Sequence, residues 1–171
     1  MQHIFFTTYI KILTVIRMAE KIEHYTDSIH YELEQTSRLM KMLGKQLFEK
    51  LEIGITMDEY AALDTISINA GICQRDLAKI LIKDRANTGR ILDTLEQKGF
   101  ITRFIDTKNN RLVKKMGITE KGYKELNFIN NKIKQYFENV TNKIPEETWV
   151  KVQTVLKAFR LELEKMVETN I

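Results

Sequence analysis

A mainly α-helical fold with one small β-hairpin is what this chain predicts, and three patterns carry the prediction. Apolar residues recur at intervals of three and four along most of the 171 residues, the spacing that lays a stripe on one side of a helix. Two short stretches, Phe100 to Ile105 and Leu112 to Ile118, are rich in β-branched and aromatic residues. They flank the polar run Asp106-Thr107-Lys108-Asn109-Asn110-Arg111, which reads as the turn of a hairpin. The third pattern is electrostatic. Between Gln74 and Lys115, eleven Lys and Arg stand against five Asp and Glu, a net of +6; the whole chain is only +4, so the other residues sum to −2. Basicity is therefore regional, and a local positive field suits a polyanionic partner.

Each element follows from its own signals. Met1 to Arg17 is an apolar run interrupted by Lys11. It is too short to span a bilayer and lacks both the leading charge and the cleavage site of a secretory signal. Either it is an extra helix packed on the body, or it lies upstream of a true start at Met18. From Glu20 to Lys50, Ile22, Tyr25, Ile29, Leu33, Met40, Leu43 and Leu47 predict one long amphipathic helix with a weak point at Gly44. Thr56 and Glu59 form a capping box that starts a second helix near Met57, which runs toward Asn69 and ends at Gly71. Cys73 to Ile82 reads as a short third helix, with Cys73 where a Ser or Thr cap is usual.

Asp84 caps a fourth helix, Arg85 to Lys98, which buries Ile91, Leu92 and Leu95 and turns Asn87, Arg90, Thr94 and Gln97 outward; Gly99 closes it. After the hairpin, Thr119 caps a helix striped by Leu126, Ile129, Ile133, Tyr136 and Val140. Pro145 starts a last helix striped by Trp149, Val152, Leu156, Phe159, Leu163 and Met166. Stripes this regular exceed what a small core needs for cover, and they predict a helical dimer interface.

The order of helix, helix, short helix, outward-reading helix, hairpin and two long helices resembles the MarR family of winged helix-turn-helix transcriptional regulators, from Glu20 to the C-terminus. The most specific part runs Asp84-Arg85-Ala86-Asn87-Thr88-Gly89-Arg90-Ile91-Leu92-Asp93-Thr94-Leu95-Glu96-Gln97-Lys98-Gly99-Phe100-Ile101, similar to the family's recognition helix and its exit. Asp106 and Arg111 keep the spacing of its wing tip, and Ile118-Thr119-Glu120-Lys121-Gly122 resembles the segment after the wing. Two departures stand out. Gly89 occupies a place where the family usually has Thr or Ser, and Asn109-Asn110-Arg111 leaves a single arginine where Asp-Arg-Arg is common.

The resemblance implies three regions: an N-terminal extension over residues 1–19, a helical dimerisation region made of 20–55 and 119–171, and a winged helix-turn-helix lobe over 56–118. It implies a homodimer that binds a pseudo-palindromic double-stranded operator, a repressor released by a small organic effector. Arg90, Asn87 and Thr94 are the expected base readers, because Arg matches guanine and Asn matches adenine by two-point hydrogen bonding. Thr88 belongs to the same expected contact set. Arg111 is expected in a neighbouring minor groove, with Arg75, Arg103 and Lys114 as the expected further DNA contacts. Tyr25, His30, Tyr31, Met40 and Tyr60 are the candidate lining of an effector cleft, although aromatic and Met residues at helical spacing also describe ordinary core.

Composition narrows the alternatives. Hydrophobic residues make up 43% and charged residues 29%, ordinary values for a globular protein. One cysteine cannot form an intrachain disulfide, so a reducing cytoplasm is the simplest compartment. Cys73 has two readings, a helix-start residue or a redox sensor. His24 and His30 beside Glu23 and Glu34 make no tight metal set. There is no phosphate-binding glycine loop, no H-E-x-x-H and no nucleophile elbow, so neither an enzyme nor a cofactor is expected. The alternative outside DNA binding is a winged-helix adaptor that acts through protein contacts.

Overall fold

A computed structural model describes residues 24–108 and 111–166. The chain divides between Glu52 and Ile53 into two compact units. The apolar run 1–17, with both of its readings, lies outside the described residues. No helix among the described residues is long and apolar enough to cross a membrane.

In the first unit, a single 3-10 turn, Tyr25–Asp27, precedes helix α1, Ile29–Lys50. The expected start near Glu20 is corrected here. Ser28 is extended, its hydroxyl donates to the Tyr25 carbonyl at 2.6 Å and accepts from the Tyr31 amide at 3.1 Å. A side chain that satisfies the first free amides fixes where a helix begins. Gly44 does not interrupt α1.

The second unit contains the remaining elements. Helix α2, Met57–Ile68, starts at the expected capping box: the Thr56 hydroxyl accepts from the Glu59 amide, and the Glu59 carboxylate accepts from the Thr56 amide, both at 3.1 Å. Gly71 turns the chain with φ +74°, a conformation open to glycine at little cost. Helix α3, Gln74–Leu81, and helix α4, Arg85–Gln97, follow. Between them Ile82 adopts φ 52° and ψ 49°, a strained left-handed conformation for a β-branched residue.

Strands β1, Ile101–Lys108, and β2, Arg111–Ile118, pair antiparallel from Ile101 opposite Ile118 to Lys108 opposite Arg111. The six-residue turn expected from Asp106 to Arg111 is thus corrected: Asp106, Thr107, Lys108 and Arg111 pair as strand. Polar residues fit a strand when its faces meet water, so the polar run reads as turn while the backbone continues to pair. The other edge of β2 joins the entry to α3: the Met116 amide donates to the Ile72 carbonyl at 3.0 Å, and Cys73 bridges Lys115.

Helix α5, Glu120–Thr141, starts where the Thr119 hydroxyl accepts from the Gly122 amide at 3.0 Å. Helix α6, Glu146–Met166, follows Pro145. Leu63 and Ile66 of α2, Leu77 of α3, Leu92 and Leu95 of α4, Met116 of β2 and Ile129 of α5 are almost wholly buried, each adding about 1.5–3 kcal/mol of burial free energy. That core fixes which side of α4 remains outside.

Candidate nucleic-acid interface

Helix α4 is built to present one side. Asp84 stands extended before it, and its carboxylate accepts from the Asn87 amide at 2.7 Å. Thr88, Ile91, Leu92 and Leu95 share the buried stripe. On the other side Arg90 is exposed, Asn87 and Thr94 are half-exposed, and the Arg90 guanidinium has no partner among the described residues. Thr94 donates its hydroxyl back to the Arg90 carbonyl at 3.0 Å, so it meets a ligand as an acceptor unless that bond breaks.

Thr88 is the clear correction to the expected contact set. Its side chain is 0% exposed, and its hydroxyl donates to the Asp84 carbonyl at 2.8 Å. It locks the first turn of the helix from inside and cannot reach a base or a phosphate.

The cations divide into two groups. Arg75 and Lys79 on α3 and Arg85 and Arg90 on α4 are exposed, with no carboxylate partner among the described residues. Arg85 was counted in the regional charge but not singled out; its place immediately after the cap was the available signal. Lys83, Lys98, Arg103 and Lys115 are instead engaged. Lys83 pairs with Asp58 at 2.8 Å, Lys98 with Glu59 at 2.8 Å, Arg103 with Asp93 at 2.7 Å and Glu96 at 3.4 Å, and Lys115 with Asp106. Arg103, expected at a phosphate, ties β1 to α4. Lys114 is exposed on the hairpin. The backbone of Arg111 pairs with Lys108, but its side chain lies outside the described residues.

Of the five candidate effector residues, the first unit brings three together. The Tyr25 ring lies 5.7 Å from that of His30 and 5.6 Å from that of Tyr31. The Tyr25 hydroxyl donates to Glu34, which also receives Arg38. The bond to Glu34 raises the Tyr25 pKa above the ordinary tyrosine value, and the same bond, with help from Arg38, lowers that of Glu34. Met40 is exposed further along α1. Tyr60 belongs to the second unit, where it donates to Asn130 at 2.6 Å and burial raises its pKa.

Cys73 stands immediately before α3, yet its thiol makes no cap. It donates to the Asp76 carboxylate at 3.1 Å, consistent with the weak acceptor character of sulfur.

The family model that matches this chain is the MarR family, over residues 55–113. Across that segment the chain is similar to the MarR family. The match spans α2, α3, α4, β1 and the start of β2, the segment that carries the four cations unpaired among the described residues, Arg90 included. Among curated relatives, the uncharacterized HTH-type transcriptional regulator YybA of Bacillus subtilis (strain 168) is 33% identical over 93 residues, 54% of this chain and 60% of that protein. The chain therefore spans about three fifths of that relative's length.

Among solved structures, the S. aureus MepR–DNA complex has a TM-score of 0.66 at 22% identity, over 82% of this chain and 99% of that one. The transcriptional regulator SlyA gives 0.67 at 24%, over 81% and 95%. NadR in complex with 4-hydroxyphenylacetate gives 0.68 at 18%, also over 81% and 95%. These likenesses establish the fold.

Proposed function

We propose that this chain is a transcriptional regulator that reads a pseudo-palindromic double-stranded operator as a homodimer, inserting α4 into the major groove. The observation that carries the reading is the unpaired Arg90 guanidinium on the exposed side of a helix whose other side is core. Arg75 and Lys79 on α3 and Arg85 at the start of α4 add positive charge that no carboxylate among the described residues cancels. Such a surface attracts phosphates and leaves Arg90 free to meet a guanine edge.

The dimer reading rests on α6. Trp149, Val152, Leu156, Phe159 and Leu163 recur at helical spacing and are all substantially exposed. A second copy, related by a two-fold axis, would cover them and set two copies of α4 about one DNA turn apart. The regulator then acts as a repressor that an organic effector releases. The Tyr25, His30 and Tyr31 rings support an aromatic ligand, as does the likeness to NadR, which was solved with 4-hydroxyphenylacetate.

Selection from a random duplex library tests the reading. The parent should enrich a pseudo-palindrome, and Arg90→Ala should lose about 1–3 kcal/mol on it while discriminating less at one base pair per half-site. Equal losses on cognate and random duplexes would assign Arg90 to a phosphate. Failure to enrich any duplex would overturn DNA binding.

A further inference from the structure

Helix α4 carries a glycine in its interior, and the space this leaves is filled from a neighbouring helix. Gly89 has no positive φ, so its backbone does not require glycine, and glycine is among the poorest helix formers. A Cβ at Gly89 would come within 3.2 Å of the Gln74 Nε2. Gln74 is the first residue of α3, and its Nε2 crosses to donate to the Arg85 carbonyl at 2.9 Å. Its carboxamide therefore lies across the bare side of Gly89, at the outer end of the junction between the two helices.

That amide has capacity left over. One N–H is used on Arg85; the second N–H and the Oε1 have no partner among the described residues, and Gln74 is half-exposed. Arg75 follows it directly, and Arg85 supplies the carbonyl that anchors it; both arginines are exposed and unpaired among the described residues. An anchored amide with a spare N–H, next in sequence to the exposed Arg75, is suited to an anionic oxygen. It is not suited to a deep reach toward a base, because its length is already spent in spanning two helices.

We propose that Gln74 is a further DNA-contacting residue, giving its second amide N–H to a backbone phosphate beside the bases that α4 reads, and that Gly89 seats it by leaving that side of α4 bare. The inference rests on the DNA-binding reading above and adds a contact that the charge pattern does not contain, since Gln74 is neutral.

The experiment compares the full-length parent, Gln74→Ala, Gly89→Ala and the double variant on the duplex that the parent enriches, and on the same duplex carrying single methylphosphonates in turn. Gln74→Ala should weaken binding by about threefold to tenfold, the worth of one hydrogen bond. The loss should be equal on every sequence, with no change in salt dependence. Gly89→Ala should raise the thermal midpoint, because alanine favours the helix, yet weaken DNA binding about as much by displacing the amide. The double variant should bind no more weakly than either single one, the mark of a shared contact.

One neutralised phosphate per half-site should weaken the parent and leave Gln74→Ala unaffected. Parent-like binding by both single variants would overturn the proposal. So would losses that add in the double variant, or a methylphosphonate scan identical for parent and Gln74→Ala. A parent that enriches no duplex overturns the DNA reading and this inference with it, a result distinct from the other three.

Discussion

The exposed positions of α3 and α4 and the ion-paired seams within the second unit carry the same kinds of cation in different electrostatic settings. At the exposed positions, Arg75, Lys79, Arg85 and Arg90 stand in solvent without an acid partner among the described residues. In the seams, Lys83 binds α2 through Asp58, Lys98 binds it through Glu59, Arg103 holds β1 to α4, and Lys115 braces the hairpin against Asp106. A paired cation presents a dipole, whose field falls away faster with distance than that of a bare charge. A regional net charge of +6 therefore mixes charges that can reach a ligand with charges that hold the scaffold.

The sharpest break is expected in a seam. Gly122 lies against the exit of α4, and a Cβ there would sit 2.1 Å from the Phe100 carbonyl oxygen and 2.8 Å from Ile118. Backbone cannot yield as a flexible side chain can, so Gly122→Ala should lose about 3 kcal/mol in urea unfolding, the upper range for overpacking. A loss below about 1 kcal/mol would mean that α5 shifts without strain.

A smaller effect separates inside from outside within α4 itself. Thr88→Val keeps the shape of the buried side chain but removes the hydroxyl that donates to Asp84. It should cost about 1 kcal/mol of stability and leave operator affinity unchanged once the folded fraction is accounted for. A selective loss of cognate binding would return Thr88 to the reading face.

The smallest expected effect lies in the turn between α3 and α4. Ile82 is 62% exposed in a left-handed conformation. Ile82→Gly relieves about 1–2 kcal/mol of strain against the greater chain entropy of glycine. A net gain of about 0.5 kcal/mol in urea unfolding is expected. A loss would show that Ile82 contributes packing despite its exposure.

Much of this fold was legible because its punctuation is local. The Thr56–Glu59 box, Asp84, Gly71 and Thr119 each act within a few residues, and each lies where the sequence indicates. Thr88 was legible too, in retrospect: it stands three and four positions before Ile91 and Leu92, on the inward stripe. The full hairpin was hidden because Asp106, Thr107 and Lys108 look like turn residues while their backbone pairs. The seams were hidden for a different reason. Lys98 and Glu59 are 39 positions apart, and Lys83 and Asp58 are 25 apart, so only the packed structure decides which cations are neutralised. Gln74 escaped notice because its partner, Gly89, is conspicuous only through the side chain it lacks.

The division of cations is tested most directly by two charge-matched triple variants. One replaces Arg75, Lys79 and Arg85 with Gln; the other replaces Lys83, Arg103 and Lys115 with Gln. Both lower the net charge by the same amount, so a general change in field affects them equally, and circular dichroism establishes that each is folded. The measurement is the slope of log affinity against log salt on a random duplex, where each phosphate neutralised contributes about 0.9 to the slope. The first variant should flatten the slope by roughly 2.7 per protomer, and the second by less than about 1. Equal flattening would mean that seam and exposed cations meet phosphates alike, and would contradict the account.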